Sequence, residues 1–153
     1  MKKFQLSLYA LLIGLSTFAF KPGDIDKKVV QSFTKGFPTA QNISWHELED
    51  SYVVSFVENG VRSKIRYQKD GTITEFTRFY QEENLPLNVQ YKVKKKFPDK
   101  KIFGVTEDLE ITDAGDFLTK DYFIKLEDDK SWTTVKMDGD GRLSVVEKFK
   151  KAL

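Results

Sequence analysis

The 153-residue chain has no cysteine. That excludes disulfide staples, thiolate nucleophiles, Cys-ligated zinc or iron–sulfur, and a Cys-anchored lipoprotein. Histidine occurs once, at His46, so a His-rich metal site is excluded as well. Four prolines and nine glycines are too few for a chain dominated by linkers or disorder. No excess of one charge exists either, with 25 basic against 23 acidic side chains. Beyond the first twenty residues there is no second long apolar run. What is present is the composition of a folded protein, 40% hydrophobic and 14% aromatic. The length suits one domain or two small similar halves, not an enzyme core with a separate cofactor domain.

The N-terminus reads as an address. Met1-Lys2-Lys3 is a short basic start, followed by the apolar run from Leu6 to Phe20. Thr17 and Ala19 fit the small-residue positions ahead of a signal-peptidase site, so residues 1–19 are expected to be removed before Phe20. The competing reading is an uncleaved anchor, but the run is shorter than the roughly 20 apolar residues of a membrane span. Loss of Lys2 and Lys3 leaves 23 basic and 23 acidic groups, a formally neutral chain. The expected product is periplasmic or secreted and has no membrane span.

The remainder repeats itself. Residues 33–38 (FTKGFP) match 93–98 (VKKKFP), and residues 52–73 match 122–143. In the second pair Tyr52 aligns with Tyr122, Val54 with Ile124, Phe56 with Leu126, Ile65 with Val135, and Asp70-Gly71 with Asp140-Gly141. The ten extra residues fall near Thr112–Lys120, which reads as loop material. Two units, 20–85 and 86–153, follow from the alignment.

Each unit opens with a helix. Val29, Phe33 and Phe37 recur every fourth residue, with Asp24 or Asp26 as cap, and Val89, Val93 and Phe97 do the same, with Pro86 in the first helical turn. Both helices should stop at the residue before a proline, Phe37-Pro38 and Phe97-Pro98, because that residue avoids helical angles. Four strands are expected in each unit. In the first they are Asn42–Leu48, Ser51–Glu58, Val61–Gln68 and Thr72–Phe79. In the second they are Lys101–Ile111, Phe117–Glu127, Ser131–Met137 and Arg142–Phe149. Asn59-Gly60 and Asp70-Gly71 are hairpin turns, since these pairs tolerate positive φ. Asp128-Asp129-Lys130 and Gly139-Asp140-Gly141 take the same places in the second unit.

A helix followed by an antiparallel meander, twice over, is an α+β design. Strand alternation sends Tyr52, Val54, Phe56, Ile65, Tyr67, Tyr122, Ile124, Leu126, Val135 and Met137 to one face, the one both helices should cover. The other face carries Val53, Val57, Arg62, Lys64 and Arg66, and then Phe123, Lys125, Trp132, Thr134 and Lys136. Aromatics mixed with cations on an open sheet suit an interface. Trp132, Phe123, Arg62, Lys64, Arg66, Lys125 and Lys136 are therefore the candidate partner-binding residues, with Trp132, Arg62, Arg66 and Lys136 as their hot spot. Trp45 is assigned to the core.

No residue pattern points to catalysis, a metal or a cofactor. His46 has no nucleophile motif or second histidine and reads as a surface strand residue. Asp138-Gly139-Asp140-Gly141 lacks the further oxygen ligands and closing Glu of a calcium loop and reads as a hairpin turn. Glu49/Asp50 and Asp128/Asp129 sit at turns instead of facing one another across a cleft, as a glycosidase pair would. Lys92, Lys94, Lys95, Lys96, Lys100 and Lys101 form a basic cluster on and after the second helix. Export argues against nucleic acid; an anionic envelope surface touching Lys92, Lys95 and Lys96 is the alternative to a solvated face.

Several of these pieces, taken in order, resemble the PepSY-like family related to β-lactamase-inhibitory protein, secreted proteins of Gram-negative bacteria. In the first half they are Phe37-Pro38, Ser44-Trp45, Tyr52-x-Val54-x-Phe56 and Tyr67-x-x-Asp70-Gly71. In the second half they are Leu85-Pro86, Phe97-Pro98, Tyr122-x-Ile124-x-Leu126 and Asp140-Gly141. The resemblance implies two tandem helix–four-strand antiparallel repeats forming one curved sheet, whose open face can bind a protein. It also suggests inhibition of an extracytoplasmic hydrolase or peptidase. The disulfides of the inhibitor itself are absent, and no short motif transfers its contact residues. The expected function is a non-enzymatic exported protein-binding module without cofactor. The alternative is a small-ligand or envelope-surface (lipid or glycan) binding protein.

Overall fold

The computed structural model describes residues 25–112 and 115–152. The expected signal peptide, its cleavage point at Ala19 and Asp24 lie outside the described residues. Helix α1 spans Lys27–Gly36, and its cap is Asp26, whose carboxylate accepts from the Lys28 N–H at 2.8 Å. It ends at Phe37 with φ −132° and ψ 64°, outside the helical region, as the following proline requires. Helix α2 spans Leu87–Lys96 and ends at Phe97 with nearly the same angles, φ −131° and ψ 64°. Pro86 was expected inside its first turn; it stands one place earlier, at the N-cap, with extended ψ of 132°. Both positions leave its missing N–H without cost.

Eight strands make one antiparallel sheet in chain order: β1 (Gln41–Glu47), β2 (Ser51–Glu58), β3 (Val61–Gln68), β4 (Ile73–Tyr80), β5 (Lys101–Ile111), β6 (Phe117–Glu127), β7 (Ser131–Asp138) and β8 (Leu143–Lys150). One 3-10 turn, Glu82–Asn84, leads into α2. The architecture is α+β. Hairpin geometry explains where strand ends depart from expectation. Thr72 and Arg142 were read as strand starts. Aspartate side chains hold both in the turns instead: Asp70 accepts from the Thr72 N–H at 2.8 Å and Asp138 from the Arg142 N–H at 2.9 Å. Strands β4 and β8 therefore begin and end one residue later, at Tyr80 and Lys150, and β7 runs on to Asp138. Strand β1 starts and stops one residue earlier than read. The Asn59-Gly60 turn has both residues at positive φ, 51° and 78°, as a type I′ hairpin needs.

The core forms two clusters. In the first, Val29, Phe33 and Phe37 of the α1 segment pack with Tyr52, Val54, Phe56, Ile65, Tyr67 and Phe76. In the second, Val89 and Val93 of α2 pack with Tyr122, Ile124, Leu126, Val135 and Met137. Trp45, assigned to the core, sits at its rim, half-buried and edge-on to Phe33 at 5.4 Å. Strand β6 begins at Phe117, as its expected bounds have it, within the stretch 112–120 that the repeat alignment leaves unmatched; Phe117 meets Phe76 at 4.8 Å and packs against the first cluster. Leu109 of β5 joins the same cluster.

Between the clusters lies a buried carboxylate. Glu107, 3% exposed, accepts from the Tyr80 hydroxyl and from Thr119 Oγ1, both at 2.6 Å, with Arg78 Nη1 at 3.8 Å. Two full-strength acceptors satisfied by hydroxyls and a nearby guanidinium are what make a buried charge tolerable. Tyr67 is the contrasting case: fully buried, with a hydroxyl that has no hydrogen-bond partner among the described residues. An orphaned polar group costs about 1–3 kcal/mol. Tyr67→Phe is therefore expected to raise the unfolding free energy by about 1 kcal/mol or more in urea titrations. A destabilised variant would show that the hydroxyl has a partner after all.

Candidate binding face

The residues alternating with the core positions occupy the other face of the sheet, and cross-strand register lays them in rows. One row runs Val57, Arg62, Phe79, Thr106, Phe123, Lys136, each directly opposite the next. A second runs Lys125 to Thr134 to Glu147, and a third Glu127 to Trp132 to Phe149. A bulge in β5, between Ile102 and Gly104, adds Phe103 to this face. Its ring meets Trp132 edge-on at 4.9 Å, while Phe103 itself stays 56% exposed. Phe149, opposite Trp132, is 57% exposed. Trp132 is half-buried, with the Phe103 ring against it.

Cations lie over the rings. Lys125 Nζ and Lys151 Nζ each stand 4.9 Å from the Trp132 centroid, Lys136 Nζ is 5.8 Å from Phe123, and the Arg62 guanidinium is 5.5 Å from Phe79. Two of these also have carboxylates: Lys136 pairs with Asp121 at 2.9 Å and Lys151 with Glu127 at 2.5 Å. Among the described residues, no carboxylate lies within ion-pair distance of Arg62, Lys64 or Lys125.

Of the seven candidate residues, the fold brings together Arg62, Phe123, Lys125, Trp132 and Lys136. Lys64 is exposed one row away, between Ser55 and Thr77. Arg66 does not join the expected hot spot. It is bound to Glu75 at 3.1 Å and stands four residues along β3 from Arg62, about 13 Å at standard strand rise, so it lies off the row that Arg62 shares with Phe79 and Phe123. Residues two apart share a face but not a neighbourhood, and strand parity could not measure that distance. Sequence reading missed Phe79, Phe103, Phe149 and Lys151. Phe79 follows from parity once the β3–β4 register is known; Phe103 depends on a bulge that reverses parity locally.

The remaining candidates fall to structural roles. His46 is exposed on the edge strand β1. Asp128 accepts from the N–H groups of Lys130 and Ser131 and pairs with Lys100. The Lys100 ammonium and those turn amides hold its carboxyl well below the usual carboxylate range. Arg142 bridges Asp138 and Asp140 at 3.0 and 2.9 Å within the last hairpin. In the basic cluster, Lys94 pairs with Glu82 and Lys96 donates to the Leu143 carbonyl at 2.6 Å. No helix among the described residues is long and apolar enough to cross a membrane.

Solved structures with this fold are known. A BLIP-like protein of Bacteroides fragilis superposes with a TM-score of 0.60 at 14% identity, over 86% of this chain and 88% of that one. A protein of Bacteroides eggerthii assigned to the periplasm gives 0.58 at 18% identity, covering 82% and 88%. A DUF2874 family protein of Bacteroides uniformis gives 0.56 at 14% identity, covering 81% and 88%. The resemblance to the inhibitory-protein group is thus shown as a likeness of fold. No protein-family model matches the chain, and no curated protein matches it in sequence.

Proposed function

We propose that this protein is a non-enzymatic, exported protein-binding module that engages its partner through the face bearing Phe79, Phe103, Phe123, Trp132 and Phe149. One observation carries the reading: five aromatic side chains on a single sheet face, two of them more than half exposed, with cations over the rings. Exposed aromatics amid Arg and Lys are the composition of a binding surface, and a sheet presents them rigidly. The face is open because, on our reading, both helices cover the other one. Cross-strand partners running Val54, Ile65, Phe76, and Tyr80, Val105, Ile124, Val135 share that side and reach both helix-lined clusters. We further read the two halves as tandem repeats of PepSY-like kinship. In support, α1 and α2 end on matching angles, and β1 and β5 carry bulges at equivalent places. Export rests on the N-terminal signal pattern and on the periplasmic assignment of one protein of this fold. An inhibitory action on an extracytoplasmic hydrolase or peptidase is the finer form of the proposal. Lipid or glycan binding through Lys92, Lys95 and Lys96 is less favoured, because Lys96 is already engaged by Leu143.

The test is complex formation with envelope proteins, followed by size-exclusion chromatography of the isolated pair. The Phe103→Ala/Trp132→Ala variant is expected to lose a stoichiometric partner that the natural chain and a Lys95→Glu control both retain. Retention by the aromatic double variant, or loss in the Lys95→Glu control, would reject this face.

A further inference from the structure

The aromatic face is not flat. A pocket of about 330 Å³ opens in it where β4 meets β5, walled by Phe79, Phe103 and Phe123, with Arg62, Lys125 and Thr134 at its sides. None of its eleven lining residues is acidic. The floor is Gly104, which stands opposite Lys125 and so faces into the pocket. A Cβ built there would meet nothing nearer than the Tyr80 carbonyl oxygen at 3.9 Å, so the space above the floor is the space a side chain would fill. A glycine within a strand, at a backbone angle any residue adopts, commonly marks a close approach by another group. The preceding bulge residue, Phe103, supplies the wall.

The chemistry of the walls selects the occupant. Three phenyl rings ask for an apolar group. Arg62 and Lys125 sit over the rings of Phe79 and of Phe103 and Trp132, with no carboxylate of the described residues paired to either. An unpaired guanidinium and ammonium at the rim of an apolar, acid-free pocket complement an anion attached to an apolar body. We infer that the pocket receives a carboxylate side chain, presented next to an aromatic residue on a segment of the partner protein. The inference deepens the proposed function and rests on it for the source of the carboxylate. The pocket would then be the specific point of a surface whose remaining contacts are apolar, with two charge-assisted contacts fixing the partner's register.

The probe is the peptide acetyl-Gly-Phe-Glu-Gly-amide, titrated into the isotope-labelled protein and followed at the backbone amides of Thr106, Lys125 and Thr134. Saturable shifts are expected, at least tenfold weaker with the Gln peptide and abolished in Gly104→Leu. The Cβ of that variant has ordinary clearance, and it should melt no lower than the natural chain, which separates a filled pocket from a failed fold. Arg62→Gln should weaken the Glu peptide and leave the Gln peptide unchanged. Equal affinity for the two peptides, no saturable shift, or full binding by Gly104→Leu would overturn the assignment. Tighter binding of free 3-phenylpropanoate than of the peptide would overturn the protein source in favour of a small carboxylate. The wider face is tested separately by partner loss in Trp132→Ala/Phe149→Ala, neither of which lines the pocket, so the pocket and the face can fail independently.

Discussion

Replacing Phe33 by alanine is expected to lower the unfolding free energy by about 3–5 kcal/mol. Phe33 is 2% exposed and is the hub through which α1 is fastened to the sheet. Its ring stands 5.5 Å from Phe37, 5.4 Å from Trp45 and 5.1 Å from Phe56, so truncation removes three aromatic contacts at once. The surrounding rings cannot collapse into the space, because each is also held by a strand or by the helix end. A domain of this size is stable by only about 5–15 kcal/mol, so the variant should be marginally folded at room temperature. The comparison that gives this meaning is Phe103→Ala, the same chemical change on the other face. Phe103 is 56% exposed, and its loss should stay within about 0.5 kcal/mol. Urea titrations of the two variants separate the cases. A loss at Phe33 no larger than that at Phe103 would mean that α1 is not fastened through this ring.

That contrast also shows why some of the molecule was readable before its coordinates. Val29, Phe33 and Phe37 repeat at the spacing of one helix face, and Tyr52, Val54 and Phe56 alternate as a half-buried strand must. Both patterns arise from burial against a core, which imposes a period on the sequence. The turns were equally plain, since Asn59-Gly60 requires backbone angles that few residues accept. Strand ends were off by one where a carboxylate intervenes: nothing in the order of residues said that Asp70 and Asp138 would each hold the amide that begins the next strand. Strand β6 was legible from its first residue, Phe117, although Gly115 and Asp116 before it are turn formers; the packing of Phe117 against Phe76 was not.

The candidate face was legible by side but not by position. Parity correctly grouped Arg62, Phe123, Lys125, Trp132 and Lys136 on one face, yet it treated Arg66 as their equal. Distance along a sheet depends on register between strands, and register between β4 and β5 follows α2 and its connections, which carry no local code. Phe103 illustrates the limit. Parity places it with the core, and one extra residue in the bulge turns it outward. Its counterpart 60 residues earlier, Ile43, lies within the bulge of β1 and is 48% exposed. An exposed apolar residue thus stands at a bulge in β1 as it does in β5.

Alkali is expected to unfold this protein from pH 10 upward, because the fold holds the protons of three buried tyrosine hydroxyls, those of Tyr67, Tyr80 and Tyr122. Desolvation pushes the Tyr67 and Tyr122 hydroxyls up from 10.0 to about 12. Tyr80 moves further in the same direction, by burial first and then by its bond to the Glu107 carboxylate. The native state therefore keeps these protons at pH values where the unfolded chain has released them. Their contribution is fully present below pH 10 and is lost as pH rises from 10 towards 12. A shift of that size corresponds to about 2–3 kcal/mol per hydroxyl, so Tyr67 and Tyr122 together remove a large part of the about 5–15 kcal/mol by which a small domain is stable, and Tyr80 adds to that. Tyrosinate absorbance and circular dichroism should consequently change together, in one cooperative step. Tyr67→Phe should move that step to higher pH, because it removes one of the protons released on unfolding. Tyrosinate formation at all three positions ahead of any loss of structure would show that these hydroxyls are open to solvent in the folded state.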